Sequence, residues 1–582
     1  MDFLGLRNLT VIDDALENIK RNRGEEVVLE TLDMNSDQKT YELLSRGDTL
    51  GVFQLDSDNM RSLLRLLKPS EFEHISAVGA LYRPGPMGMN SHTNYAQRKN
   101  GLQQQDSIHP ELEKPLQEIL GPTYGLIVYR EQVMAVAQKV AGYTLGQADL
   151  LRRAMGKKKP EELAKQFAGF SEGMKAKGFS EGAVKALWDT LLPFADYAFN
   201  KAHSAGYGVL SFWTAYLKAN YPAEYMAALL TSIGDSKDRL AIYLNECRRM
   251  GIKVLAPDVN ESIGVFAAAG EDIRFGLGAI RNVGKNVVTA IIEARESKGA
   301  FSDFNDFISK VSAQACTKRV VEALIKAGAF DSMGHNRRAL MAIHEDAVDA
   351  ASVTKKNESL GQMDLFGSLA EDTTSISIPE LPEWTKRDKL AHEREMLGLY
   401  VSDHPLSGQE SVLGRNSDSS IAQLLARSEV PDGEMLTLAG LVTAVNHRVA
   451  RNSGNPYAAV SIEDFSGEIQ VMFMGKTYLQ YKEQIIPDQT VSVRVRISRR
   501  DDGISASANS MEIIDASRDD GGVVTLNIRD SLATKQRMDQ LRSILETYEG
   551  PVEVQLKLTG TDGDRHFVLP NRVQVCPELF GE

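Results

Sequence analysis

The spacing of apolar residues changes along this chain, and that change limits what it can fold into. From about Asp37 to Met250 apolar residues recur at helical spacing. An earlier stretch, Thr10 to Arg23, has the same rhythm through Val11, Ile12, Ala15, Leu16 and Ile19. Pro222 stands just before an Ala-rich apolar run, a position suited to the first turn of a helix. From Glu434 to Ile514 the pattern turns to strands, at 435–440, 458–462, 468–473 and 490–495. Turn signals at Asn452-Ser453-Gly454 and Asp501-Asp502-Gly503 punctuate them, which suits a small Greek-key barrel of the OB type. After Leu255 come short, glycine-containing segments. From about Ala350 to Lys386 the chain loses periodicity and is rich in Ser, Thr, Glu, Asp and Pro, so it reads as a linker. The last sixty residues alternate short strand and helix patterns and stop without a closing element. At 582 residues the chain exceeds one core, and roughly three to five domains are expected.

Composition excludes several classes. With 42% hydrophobic and 25% charged residues the chain matches ordinary globular proteins rather than disordered or fibrous ones. No run of about 18 apolar residues exists to span a membrane, so no membrane partner is expected. The N-terminus lacks the cationic start and apolar run of a signal peptide. Cys247, Cys316 and Cys576 are too far apart to suggest a disulfide framework or a zinc site, and a cytoplasmic, reduced protein is expected.

Against a formal net charge of -13, the run Arg152-Arg153-Ala154-Met155-Gly156-Lys157-Lys158-Lys159 puts five cations into eight residues. Such a run is either a solvated loop or a grip on a polyanion, with phosphate the obvious partner. A second basic element is Phe199-Asn200-Lys201-Ala202-His203-Ser204-Ala205-Gly206-Tyr207-Gly208. If helical, it places Asn200, Ser204 and Tyr207 on one face, with small residues that allow close approach to a phosphate chain. The aromatics after it, Phe212, Trp213, Tyr216 and Tyr221, read as core. A third element, Tyr82-Arg83-Pro84-Gly85-Pro86, is a rigid turn that holds one Arg with little freedom.

In order, the segments MDFLGLRNLT, GVFQLDSDNMRSLL, ALYRPGPM, YGLIVYREQVM, LRRAMGKKKPEE and FNKAHSAGYG resemble the alpha subunits of bacterial DNA polymerase III, the C-family replicative polymerases. The resemblance extends over essentially the whole chain. It implies a multidomain α+β protein with mostly helical fingers, a helix-hairpin-helix clamp-binding domain, a β-barrel OB domain and a partial α/β C-terminal domain. The implied boundaries are palm 1–35, fingers 36–255, clamp-binding domain 256–345, linker 346–390, connecting segment 391–430, OB domain 431–516 and C-terminal part 517–582.

The resemblance also implies roles. Asp2 matches the third of three palm carboxylates that hold two Mg²⁺ ions for in-line attack by the primer 3′ hydroxyl. The upstream acidic motif that supplies the other two is absent, as is the family's N-terminal phosphoesterase-like domain, so the chain reads as a fragment that does not extend primers alone. Arg152 and Arg153 match the pair that meets the triphosphate of the incoming dNTP, and forked guanidinium groups suit that contact. Asn200, Lys201 and His203 match a fingers element near the nucleotide. Arg83, Lys157, Lys158 and Lys159 are expected on primer-template DNA. A helix-hairpin-helix over 279–292 would offer the backbone at Gly284 and Lys285 to a DNA phosphate, with Asn282 in place of the usual glycine. Thr317 to Asp331 looks like a companion helical unit. In the linker, Gln362-Met363-Asp364-Leu365-Phe366 resembles the peptide that docks in the sliding clamp. Arg448 and Arg451, with Arg494, Arg496, Arg499 and Arg500, suit a groove for single-stranded template. The clamp-loader tau subunit is expected at the C-terminal region and the proofreading subunit at the missing N-terminal domain. Two other readings share these features: a non-catalytic DNA-binding or clamp-tethering protein, and the error-prone C-family paralogue.

Overall fold

The structure, a computed structural model, describes residues 5–157, 160–234, 237–359, 376–398, 400–403, 405–407, 409–426, 431, 433–449, 454–500, 503–514, 524–529, 533–560, 563–573 and 579. It divides into two compact units, residues 1–383 with 395–399, and 384–394 with 400–582.

The first unit is largely helical, and its described residues include two separate apolar cores between Tyr41 and Ala215. One is built on the helices Gln38–Arg46, Asp58–Leu67, Phe72–Leu81 and Lys201–Asn220, with Leu44, Leu64, Leu67, Ala96, Phe212 and Ala215 fully buried. Phe212 is thus core, as its sequence neighbourhood suggests, while Trp213 and Tyr216 pack half-buried against it. The other joins the helices Pro110–Leu120, Arg130–Ala141, Leu145–Lys157, Pro160–Ala176 and Glu181–Tyr197 around Val133, Val136, Leu151, Met155, Phe170 and Leu187. Ser and Asp caps start several of these helices: Ser57 accepts from the Met60 amide and Asp37 from the Thr40 amide.

His74 lies inside the first core, only 3% exposed. Its Nδ1 accepts the Ser70 amide at 3.2 Å, so the ring is neutral and its Nε2 proton faces the Tyr124 hydroxyl at 2.9 Å. Burial, then the charge of Lys99, pushes its pKa down to about 4, and Glu71 at 3.4 Å does not offset this. A folded pKa below the ordinary value means stability that is fully present above about pH 6.5 and is lost as pH falls toward 4. We expect about 3 kcal/mol of acid-dependent destabilisation from this ring. Melting scans of the parent and His74→Gln between pH 7 and pH 4.5 check it: the substituted protein should lose less stability on acidification, and equal losses would refute the assignment.

The helix Pro222–Ile233 is buried along most of its length and packs on Arg7–Arg23. Arg23 and Asn22 meet its fully buried Glu224 at 2.5 and 2.7 Å. A small sheet follows, of β1 (Val254–Leu255), β2 (Ala267–Ala269) and β3 (Asp272–Arg274) in the order β1-β3-β2. The helix Lys285–Lys298 then starts at Gly284. The helix Lys318–Ala327, capped by Thr317, gives the companion unit expected over 317–331. The segment expected as a linker from about Ala350 is helical at its start. The helix Arg337–Ser359 runs well into the segment read as linker, because Ala347, Val348 and Ala351 are buried along it and the Lys355 ammonium donates to the Ile308 carbonyl at 2.6 Å.

The second unit contains a closed five-stranded barrel of β4 (Met435–Val449), β5 (Pro456–Glu463), β6 (Glu468–Met474), β7 (Thr490–Arg500) and β8 (Gly503–Ile513), in the order β4-β5-β6-β8-β7. The helix Gly475–Tyr481 sits between the third and fourth strands, and the third pairs parallel to the fifth, which is OB topology. Val491, Val493, Val495 and Ile497 fill the barrel while Arg494 and Arg496 alternate outward. Beyond it, β9 (Val524–Arg529), the helix Lys535–Thr547 and β10 (Glu549–Gly560) form a parallel βαβ unit, with β11 (Gly563–Val573) antiparallel at the edge.

Candidate functional site

Three of the sequence motifs meet at one cavity of about 330 Å³ in the first unit. Gln54, Leu55 and Met60 come from one motif, Tyr82 and Arg83 from the second, and Phe199, His203, Ser204 and Tyr207 from the third.

Arg83 follows Tyr82, the C-cap of the helix Phe72–Leu81, and is the extended N-cap of the short helix Pro84–Gly88, so its direction is set by the proline turn. Its Nε donates to the Ala80 carbonyl at 2.8 Å and its guanidinium lies 4.3 Å over the Phe199 ring. Burial, then the charge of Arg130, shifts its pKa downward. Phe199 is fixed by backbone: its amide donates to the Val128 carbonyl at 3.0 Å and its carbonyl accepts from Arg130 at 2.8 Å. That parallel bridge ties a fourth motif, Tyr129-Arg130-Glu131, to the cavity wall.

The helix Lys201–Asn220 presents the rest. The His203 and Tyr207 rings lie tilted against each other with centroids 4.7 Å apart, and His203 meets Phe199 edge-on at 5.3 Å. Ser204 turns inward and donates to the Ser76 carbonyl at 2.6 Å, so it shapes the floor rather than facing outward with Asn200. Asn200 is the N-cap: its side-chain oxygen accepts the His203 amide at 2.9 Å. Glu131 takes the Lys201 amide at 3.1 Å. Lys201 itself pairs with Glu73 at 3.3 Å and lies 5.5 Å over the Tyr129 ring.

Arg152 and Arg153 do not line this cavity. They stand on the helix Leu145–Lys157 of the other core, both paired with Asp149, at 2.8 and 2.9 Å. The hydrogen bond from Arg152, with the charges of both guanidinium groups, holds the Asp149 carboxyl below its usual range. Lys157 closes that helix, and Lys158 and Lys159 lie outside the described residues. So do Asp2, Gln362, Met363, Asp364, Leu365, Phe366 and Arg451.

At the hairpin, Asn282 has a φ of 71°, the left-handed conformation its sequence position requires. Gly284 and Lys285 are exposed at the start of the helix Lys285–Lys298. The element before the turn is a single 3-10 turn, Leu277–Ala279, instead of an α-helix. Just before it the chain passes close to its neighbour: a Cβ at Gly276 would stand 2.4 Å from the Val265 carbonyl carbon. In the barrel Arg448 is exposed on β4 and is in register with Tyr457, itself opposite Met474.

Compared with known proteins, the chain is 53% identical over 594 aligned residues to the DNA polymerase III subunit alpha of Mycobacterium tuberculosis, with 100% of this chain and 50% of that protein covered. It is 37% identical to the Escherichia coli subunit, covering 95% of this chain and 48% of that protein, and 38% identical to that of Thermus aquaticus, covering 100% and 47%. The chain belongs to the DNA polymerase III alpha subunit family.

The bacterial DNA polymerase III alpha subunit finger domain model matches residues 8–178, a helix-hairpin-helix model 251–340, and an OB-fold nucleic acid binding model 436–514. The helix Arg7–Arg23, expected in the palm, thus falls almost entirely within the finger match. The chain spans about half the length of the alpha subunits it matches. No helix among the described residues is long and apolar enough to cross a membrane. Sequence reasoning placed Tyr207 on a face that approaches phosphate but missed Gln54 and Phe199 as cavity residues. Each stands inside a quoted motif, but nothing in one dimension says which of its residues face a shared space.

Proposed function

We propose that this chain forms the nucleotide- and DNA-gripping part of a DNA-directed DNA polymerase that transfers nucleotides from dNTP to a primer 3′ hydroxyl in bacterial chromosome replication. The observation that carries this reading is the meeting of Gln54, Arg83, Phe199, His203 and Tyr207 at one cavity, in a chain that aligns along its whole length with alpha subunits. A cavity of about 330 Å³ walled by a cation, aromatic faces and hydroxyls suits a nucleotide, whose base stacks and whose phosphates need the cation. His203 is assigned to it together with Arg83, which the resemblance had implied for primer-template DNA, and Lys201 is assigned to the nucleotide beside it. Arg152 and Arg153 are assigned to phosphates further along, where an incoming triphosphate would replace Asp149 as their partner.

DNA is assigned to the helix N-terminus at Gly284 and Lys285 and to the barrel, where Arg448 and Tyr457 offer a cation beside a stacking ring. The sliding clamp is assigned to Gln362–Phe366, tau to the C-terminal region, and the proofreading subunit to sequence outside this chain. Asp2 is assigned as one Mg²⁺ ligand. The metal chemistry is assigned to Asp2 together with the carboxylates that would complete its site.

Two measurements test this. The chain alone should bind primed DNA yet give no Mg²⁺-dependent incorporation; incorporation would overturn the division of labour. In a polymerase completed to the length of its relatives, Arg152→Ala with Arg153→Ala should raise the dNTP KM about tenfold or more. An unchanged nucleotide dependence would remove the pair from the triphosphate.

A further inference from the structure

Gln54 is neither Gly nor Asn, yet its φ is 59°, in the left-handed region. Such backbone costs free energy and persists only where the surroundings over-determine it. Here they do. The turn from Asp48 to Leu55 is held by three consecutive helices, Lys201–Asn220, Pro222–Ile233 and Lys237–Arg249.

The grip centres on Lys218, whose side chain is 0% exposed. Its ammonium donates to the Asp48 carbonyl at 2.9 Å, the Leu50 carbonyl at 2.8 Å and the Glu246 carboxylate at 2.5 Å, which uses all three protons. Glu246 also binds Arg249 at 2.8 Å, and Arg249 reaches the Asp48 carboxylate at 2.9 Å. Burial pushes the Lys218 ammonium pKa down, against the pull of Glu246. Burial would raise the Glu246 carboxyl, but the Arg249 hydrogen bond and the Lys218 charge outweigh it and hold it below its usual range.

Further pins follow along the turn. The Tyr225 hydroxyl donates to the Gly51 carbonyl at 2.8 Å, the Ser211 hydroxyl donates to the Phe53 carbonyl at 3.0 Å, and the Thr214 hydroxyl accepts the Phe53 amide at 3.1 Å. Gly51, at φ 78°, packs so tightly that a Cβ would stand 2.6 Å from Leu229. All this holds a segment whose exposed side chain, Gln54, lines the same cavity as Arg83 and His203.

A buried ion pair is a poor source of net stability, since apolar residues of similar size often serve as well. What an apolar pair cannot do is donate to two carbonyls of a particular turn. We propose that the Lys218–Glu246 pair is a latch that sets the left-handed turn at Gln54 and so holds Gln54 against the nucleotide. Lys218 and Glu246 are thus positioning residues, acting through Gln54, and this rests on reading the cavity as the nucleotide site.

The test uses the completed polymerase, with dNTP KM and kcat measured for Gln54→Ala, Lys218→Met, Thr214→Val and each latch change combined with Gln54→Ala. Gln54→Ala should raise KM about tenfold, the worth of one hydrogen bond, with kcat nearly unchanged. Lys218→Met and Thr214→Val should raise KM in the same way alone and add nothing once Gln54 is alanine. Thr214→Val, which removes one pin and no charge, carries the same expectation if Lys218→Met fails to fold. If Gln54→Ala raises KM but the latch changes leave it unaltered, or add to it fully, the latch is overturned. If Gln54→Ala leaves KM unaltered while Arg83→Ala raises it, the cavity reading stands and the latch is again overturned. If neither Gln54→Ala nor Arg83→Ala changes KM, the reading of the cavity itself fails.

Discussion

Replacing Arg83 by alanine in the completed polymerase should lower kcat/KM for nucleotide incorporation by about a hundredfold or more, roughly 3 kcal/mol of lost binding to a charged group. The size follows from where the guanidinium sits. It is held by the proline turn and the Ala80 carbonyl, lies over Phe199, and is partly withdrawn from water at the cavity wall. A side chain so placed keeps little freedom to lose on binding phosphate. Arg83→Lys should not restore the parent rate, because an ammonium cannot lie flat on Phe199 while donating in two directions. Steady-state incorporation kinetics read this directly. A value within about twofold of the parent for Arg83→Ala would place the phosphates elsewhere.

The second large effect concerns the clamp. Replacing Leu365 and Phe366 together by alanine should weaken clamp binding by about a hundredfold or more, since two apolar anchors of a short peptide carry most of its affinity. Binding to primed DNA without the clamp should stay at the parent level, because neither side chain is assigned to DNA. Surface-immobilised clamp, titrated with parent and substituted protein, gives the comparison. Equal affinities would mean that this peptide is not the anchor.

Legibility in the sequence was uneven, for physical reasons. The strands expected at 435–440, 458–462, 468–473 and 490–495 became β4 to β7 because alternating large apolar residues fill the barrel. β8 is harder to read: Ile504, Ala506 and Ala508 face the core between serines, and such small side chains give little contrast. The linker reading erred at its start because alanines bury well on a helix yet add little apolar signal. Asn200 was readable as important but not as a helix cap, since a cap shows only once the helix start is known. Gln54 was hidden altogether. Its left-handed backbone comes from Lys218, Tyr225 and Thr214, more than 150 positions away.

The most direct measurement is a structure of the completed polymerase with primed template and a non-hydrolysable dNTP. The nucleotide should lie in the cavity between Arg83 and His203, within hydrogen-bonding reach of Gln54, with its phosphates running toward Arg152 and Arg153. A nucleotide bound elsewhere, with that cavity filled only by solvent, would contradict the account.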